Sequence, residues 1–227
     1  MTNFDIKITS DTICPWCYIG YRRLQKGISL FQKTYPGAKK DTFTIHWAPY
    51  YLRPDASSIS VPFEERLSSR VSADQAQKFK DIMFRTGVGE GISFKFGSRL
   101  GNTRDSHRLI AMAGKEGTNI QTRLMEELFK GHFEEEQDIT SHEFLVQAGK
   151  AAGLGEDFVR TGLNDDKCGR EVDEEAQAAA RDGVKGVPHF SINTHHKMGG
   201  AQDASEWMEV FTAIKEGEGS TQNVEKP

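Results

Sequence analysis

The stretch SDTICPWCYIG, Ser10 to Gly20, holds Cys14 and Cys17 around a Pro15-Trp16 pair. Two thiols at this spacing can form a redox couple, supply half of a metal site, or lie buried as small apolar side chains. Zinc asks for two further Cys or His ligands at workable spacing. The only other cysteine, Cys168, has no partner near it, and His195-His196 are adjacent, so a strand would point them to opposite faces. No metal site is expected. The redox reading depends on where the pair sits. Pro15 suits the first turn of a helix, because it has no N–H to leave unpaired. Cys14 then falls at or near the N-cap, where free backbone N–H groups and the positive helix end favour a thiolate. Cys17 faces inward within reach of Cys14, which suits a thiol that resolves a mixed disulfide.

Those placements require a strand before the pair and a helix after it. Phe4, Ile6 and Ile8 alternate with Asp5, Lys7 and Thr9, which predicts a half-buried strand ending near Ser10. Ile19, Leu24, Ile28 and Phe31 mark one side of a helix running to about Tyr35, with Pro36-Gly37 as its stop. In TFTIHWAP, Phe43, Ile45 and Trp47 alternate as a second strand, giving a β-α-β start and a parallel strand pair.

From about Val61 helical segments are expected to follow one another without an intervening strand. Ser72-Ala73-Asp74-Gln75 and Thr140-Ser141-His142-Glu143 read as capping boxes, and further helices are expected from Asn102 or Thr103 through Ala113 and from Asn119 to about Phe133. RTGVGEGISFKFGSRLGN is glycine-rich without phosphate-loop spacing, and reads as a flexible connection. A helix from about Asp165 to Arg181 leads into GVKGVPHFSINTHHKMGG, where Phe190 and Ile192 alternate, Asn193-Thr194 can turn, and Lys197-Met198 can return as a short strand. Asp203-Ala204-Ser205-Glu206 caps a last helix carrying Trp207, Val210, Phe211 and Ile214, followed from residue 218 by a tail with almost nothing to bury.

Charged residues make up 27% of the chain with both signs intermixed, and the formal net charge is -4, so neither nucleic acid nor an anionic membrane is expected as a partner. No run approaches the roughly 20 apolar residues that span a bilayer. The N-terminus MTNFDIKITSD has neither a basic nor an apolar leader region, and only three cysteines occur, so the expectation is a cytoplasmic protein without a structural disulfide framework.

A second feature lies far along the chain. The proline of GVPHF opens a strand after a Gly-rich turn, which fits either an edge strand or a cis peptide. Beside a C-P-W-C in a β-α-β start the cis reading is favoured, because a cis Pro188 lets the backbone of Val187 face Cys14 and pair with an extended thiol substrate. Taken in order, SDTICPWCYIG, NTRDSHRL, GVKGVPHF and GGAQ resemble the FrnE-like branch of the DsbA-type thioredoxin-fold family, over nearly the whole chain to about Lys215.

The resemblance implies an α/β, thioredoxin-like fold with a large all-helical insertion. Residues 1–60 and 164–217 would be its two parts, 61–163 the insertion and 218–227 a flexible tail. It also implies a thiol-disulfide oxidoreductase with Cys14 as nucleophile, Cys17 as resolving thiol and Pro188 as the cis proline. No tightly bound cofactor is implied; glutathione is the expected co-substrate, and the partner a disulfide-containing protein or small thiol. Oligomeric state stays open, a homodimer being one form.

The same superfamily includes 2-hydroxychromene-2-carboxylate isomerases and kappa-class glutathione transferases, in which serine commonly stands at the position of Cys14. Their likeness supports a second reading, a glutathione-dependent isomerase or transferase acting on a small aromatic or electrophilic substrate. A third reading is a redox-sensing or chaperone-like binder that uses the insertion.

Pro15, Trp16 and Val187 are expected to flank a bound thiol. Gly200, Ala201, Gln202 and Asp203 precede a helix and are candidates for the γ-glutamyl end of glutathione, or are simple capping residues. Asn102 and His107 match a stretch lying across the cleft in glutathione-using relatives, although an isolated histidine also serves as a core or helix-surface residue. Tryptophan replaces the histidine that DsbA-type oxidants carry between their cysteines, so the disulfide is expected to be less oxidising than that of DsbA. Asp11, if close, would oppose a thiolate. Cys168, surrounded by acids, is expected to be a bystander.

Overall fold

The computed structural model describes residues 1–217. The alternating apolar residues at the start form strand β1 (Asn3–Ser10), helix α1 (Pro15–Thr34), a short 3-10 turn (Ala38–Lys40) and strand β2 (Thr42–Pro49). β1 and β2 run parallel, with Phe4 opposite Phe43, Ile6 opposite Ile45 and Ile8 opposite Trp47. Far along the chain β5 (His189–Ile192) and β6 (His196–Gly199) complete a four-stranded mixed sheet in the order β2-β1-β5-β6, β5 pairing antiparallel with β1. Helix α9 (Ala204–Glu216) packs against α1. Together they bury Phe4, Ile6, Ile8, Phe190 and Ile192 completely. Gly27 permits that approach, since a Cβ there would lie 2.4 Å from Trp207 Cβ.

Between β2 and β5 lie α2 (Phe63–Ser68), α3 (Ala73–Glu90), α4 (Arg104–Glu116), α5 (Thr118–Glu134), α6 (His142–Ala152), α7 (Glu156–Asn164) and α8 (Gly169–Arg181). The expectation of helices without strands is corrected by a two-stranded antiparallel ribbon, β3 (Val61–Pro62) with β4 (Arg99–Leu100). It is too short to show a period. The glycine-rich stretch is not a free connection either. α3 continues through Gly87, where a Cβ would strike the Phe94 ring at 2.5 Å, and ends at Gly91 with φ +74°, so Ile92 and Phe94 reach the core.

Ser72 caps α3 in a reciprocal box with Gln75, as expected. The second expected box does not form, since the residue three beyond the cap is Phe144, which has no side-chain acceptor to answer it. Ser141 is the cap of α6, accepting from the Phe144 N–H, while Thr140 turns back to donate to the Asp138 carboxylate. α8 starts at Gly169, later than expected, because Asp166 and Cys168 are left-handed, with φ +50° and +62°. The tail expected to fray lies outside the described residues.

Candidate active site

β1 ends at Ser10, whose carbonyl accepts the Tyr50 N–H at 2.9 Å, and the chain turns when the Cys14 N–H donates to the Asp11 carbonyl at 3.0 Å. Cys14 is the N-cap of α1 in extended conformation and Pro15 the first helical residue. Both thiols are free; Cys14 is 4% exposed and Cys17 fully buried. Burial pushes the Cys17 thiol well up from its ordinary pKa, and neighbouring Cys14 adds to this, while the Ser10 hydroxyl and the Asp11 backbone pull it down. Ser10 Oγ is buried without a hydrogen-bond partner.

The second loop meets the first from 173 residues away. The Cys14 thiol donates to the Val187 carbonyl, Sγ to oxygen 3.6 Å, and the Val187–Pro188 peptide is cis. Below them, Gly20 of α1 leaves room for this loop. A Cβ there would come within 2.9 Å of Pro188 Cγ, 3.3 Å of the Phe190 ring and 3.4 Å of Ala201 Cα. Gly20 escaped the reading of CPWC, although a glycine inside a helical pattern is itself a sign of close approach. Trp16 stands 39% exposed beside the thiols, and Pro15 is half-buried.

The Gly200–Asp203 loop adjoins Pro188, the Gly200 N–H donating to the Pro188 carbonyl at 2.9 Å. Its polar groups serve the fold. Gln202 Nε2 donates to the Gly199 carbonyl at 2.6 Å, Arg23 donates to the Ala201 carbonyl at 2.6 Å, and Arg23 pairs with Asp203 at 2.9 Å and with Glu90 at 2.8 Å. Asp203 caps α9, its N–H answered by Glu206 Oε2 at 3.0 Å. Arg23, unnoticed in the sequence, thus ties this loop to α1 and α3.

On the insertion side, Asn102 is consumed by structure: its side chain donates to the Ala56 carbonyl at 3.1 Å and accepts from the Arg104 N–H at 2.8 Å. His107 is buried, its Nε2 3.4 Å from Asp11 Oδ1 but outside hydrogen-bonding direction, and the Tyr51 ring meets it at 5.4 Å. Asp11 is fully buried and accepts from the Leu52 N–H at 2.8 Å and the Ile13 N–H at 3.4 Å. Its carboxylate is engaged by these amides. One further bond joins the cysteine loop to α4. Ser106 gives its hydrogen to the Thr103 carbonyl at 2.7 Å, so Thr12, 2.9 Å away, donates to Ser106.

Among the described residues, no group of three or more His, Cys, Asp or Glu side chains converges as a metal site, and no helix is long and apolar enough to cross a membrane. A cavity of about 380 Å³, lined by Lys7, Thr9, His46, His189, Ser191 and Lys197 among others, includes neither cysteine of the pair.

A family model described as a DSBA-like thioredoxin domain matches residues 5–209. The chain belongs to the DsbA-like thioredoxin family. Its structure superposes on a probable DsbA oxidoreductase from Streptomyces coelicolor with a TM-score of 0.84, at 26% identity, covering 98% of this chain and 94% of that one. It is also similar to a 2-hydroxychromene-2-carboxylate isomerase, with a TM-score of 0.64, 16% identity and coverage of 93% and 95%. The cytosolic disulfide reductase DsbM from Pseudomonas aeruginosa gives 0.59, 13% identity and coverage of 93% and 98%, and its structure with GSH also matches. At these lower identities the likeness is one of fold. Among curated proteins no relative matches. The family supports a thioredoxin-like fold with a helical insertion and thiol oxidoreductase chemistry.

Proposed function

We propose that this DsbA-like protein is a thiol-disulfide oxidoreductase in which Cys14 exchanges with substrate and Cys17 resolves. In the reducing direction, Cys14 thiolate attacks one sulfur of a substrate disulfide, forming a mixed disulfide and releasing the other sulfur as thiolate. Cys17, once deprotonated, attacks Cys14 Sγ; the second substrate thiolate leaves, and Cys14–Cys17 becomes the disulfide. Two equivalents of glutathione, one attacking and one resolving, return the pair to dithiol with release of glutathione disulfide. The same steps reversed oxidise a dithiol.

The observation that carries the reading is the contact between Cys14 at the N-cap of α1 and the Val187 carbonyl, with Cys17 buried behind it. That carbonyl edge offers an extended substrate a backbone partner beside the nucleophile. The buried Cys17, held protonated by its surroundings, does not compete with Cys14 for substrate. In this reading glutathione supplies electrons and the setting is cytoplasmic. Trp16 brings no cation to the reduced thiolate, so the couple is less oxidising than that of DsbA, near -120 mV.

The test is equilibration in defined mixtures of reduced and oxidised glutathione, followed by alkylation and peptide mass analysis. Reversible interconversion of Cys14 and Cys17, a potential below about -120 mV, and a glutathione adduct trapped on Cys14 in Cys17→Ser are expected. A pair that stays reduced throughout while glutathione binds without an adduct would instead support an isomerase or transferase, the chemistry named for one structural neighbour.

A further inference from the structure

Phe4 of β1 meets the Phe31 ring of α1 and the Phe211 ring of α9, so the alternate residues Asp5, Lys7 and Thr9 lie on the other face of the sheet. The register carries that polarity across all four strands. Lys7 stands opposite His46 on β2 and opposite Ser191 on β5, and Ser191 stands opposite Lys197 on β6. One polar row, His46-Lys7-Ser191-Lys197, therefore crosses the sheet on the face turned away from α1. All four residues line the cavity of about 380 Å³, which Ala179, Asp182 and Val184 bound from the end of α8.

The donors of this row are uncommitted. The side chains of Lys7 and Lys197 form no hydrogen bond or ion pair among the described residues, and neither do the hydroxyls of Ser191 and of Thr9, which lines the same cavity one row further along β1. Two acids also line it. Asp5 has its own donor, His46 Nε2, at 3.1 Å from Oδ1. Asp182, the exposed residue that caps the end of α8, pairs with neither lysine. Glu175, earlier in α8, feels the charge of Lys7 but forms no ion pair with it and does not line the cavity.

We infer that this cavity binds a small phosphate monoester, its phosphate held between the Lys7 and Lys197 ammonium groups over the Ser191 hydroxyl. Ser191 is the residue that both lysines flank, and the two lysine strands lie about 9.5 Å apart at the backbone, within the span of two lysine side chains leaning over it. An ammonium donates as a point charge in several directions, which suits a tetrahedral group with oxygens on every side. The planar fork that matches a carboxylate belongs to arginine, and no arginine among the described residues lines the cavity. The volume falls within the roughly 300–1,000 Å³ of small-molecule sites, more than a bare phosphate fills. The lining left for the rest of the ligand is largely polar, with Thr9, His46 and His189, and suits a hydroxylated body of pentose size. The cavity includes neither Cys14 nor Cys17, so this site and the redox reading can fail independently.

The experiment titrates the ¹⁵N-labelled full chain with ribose 5-phosphate at fixed ionic strength and follows amide shifts, with ribose and inorganic phosphate as comparators. Saturable shifts at Lys7, Ser191 and Lys197 are expected with ribose 5-phosphate, weaker binding with inorganic phosphate, and none with ribose. Lys7→Gln/Lys197→Gln should weaken binding about tenfold, the loss of two charge-assisted contacts at a solvent-accessible site. Lys39→Gln/Lys40→Gln, which removes the same net charge in the 3-10 turn, should leave it unchanged. Asp182→Asn, which removes a carboxylate facing the phosphate, should tighten binding roughly two- to threefold.

Ribose binding as well as its phosphate, equal loss in both double variants, or shifts confined to other parts of the chain overturn the inference. Inorganic phosphate binding as tightly as ribose 5-phosphate also overturns it, by reducing the row to a patch for any anion. Weaker binding in Asp182→Asn would place the phosphate away from this cavity.

Discussion

The sheet region and the inserted helices share one apolar core, but differ in what is added to it. In the sheet region, aromatic rings close on one another. Phe4 stacks on Phe43 at 4.7 Å and meets Phe211 at 5.1 Å, while Phe31 meets Phe211 at 5.6 Å and Trp207 at 5.8 Å completes the group around Phe211. In the insertion, buried polar side chains serve backbone groups. Arg108, 2% exposed, donates to the carbonyls of Gly162, Leu163 and Lys167 and to Asp105, fastening α4 to α7 and the turn beyond it. Gln121 does the same for the sheet edge, accepting from the Trp47 N–H at 3.1 Å and donating to the Trp47 carbonyl at 3.2 Å. β2 is an edge strand, and this side-chain amide stands where a neighbouring strand would. Apolar packing tolerates small adjustments in many directions, whereas a hydrogen-bonded polar hub fixes distance and direction and fails abruptly when one member is removed.

That contrast can be broken experimentally. The largest effect is expected from Phe211→Ala, which empties the junction of the aromatic group and should lower unfolding free energy by about 4 kcal/mol. Urea unfolding followed by far-ultraviolet circular dichroism measures it, and a loss under about 1 kcal/mol would mean that the rings do not hold α9. Arg108→Met keeps much of the side-chain volume but strands three carbonyls and leaves Asp105 with His142 alone; roughly 3 kcal/mol should be lost. Hydrogen exchange should then rise first in α4 and α7. If it rises evenly over the sheet instead, the insertion is not held as a separate polar assembly.

The smallest effect depends on pH. His132 is completely buried, and its Nδ1 lies 3.2 Å from the Gln137 carbonyl, which only accepts, so the ring carries its hydrogen there. Burial pushes its pKa down from 6.5 to about 4, against the opposing pull of that bond and of Asp11 and Asp138. Between those values the unfolded chain binds the proton and the folded chain does not, so stability falls as pH drops below 6.5. At pH 5 the loss is roughly 2 kcal/mol. The difference between pH 7 and pH 5 stabilities should shrink by that amount in His132→Gln; an unchanged difference would place the acid sensitivity in other groups.

The same contrast explains what was legible in the sequence. β1, α1 and β2 announce themselves through apolar alternation and periodicity, and the CPWC pair inherits its place from them. GVPHF pointed to the loop that meets Cys14 because proline restricts the backbone in a recognisable way. The polar hubs carry no such local sign. Arg108 and Gln121 look like surface residues of amphipathic helices, and only the carbonyls of a distant turn or an edge strand give them a role. Asn102 shows the converse, since its resemblance to a cleft residue did not reveal that both ends of its amide are committed to the backbone. Asp11 was visible as a charge, but not the Leu52 and Ile13 amides that receive it. Displacements such as the start of α8 at Gly169 arise from left-handed residues other than glycine, which composition does not mark.

Gly20 bears on anyone who would transplant this motif. The loop carrying Pro188 rests on the bare backbone of α1, so the gap between Cys14 and Val187 is gauged from underneath, with the helix acting as a shim. An added methyl group would raise the loop or tilt the helix by several tenths of an ångström. A graft that copied the four residues of CPWC onto a helix lacking a glycine three positions beyond the second cysteine would reproduce the sulfurs and their spacing, yet mount the opposing carbonyl at the wrong height.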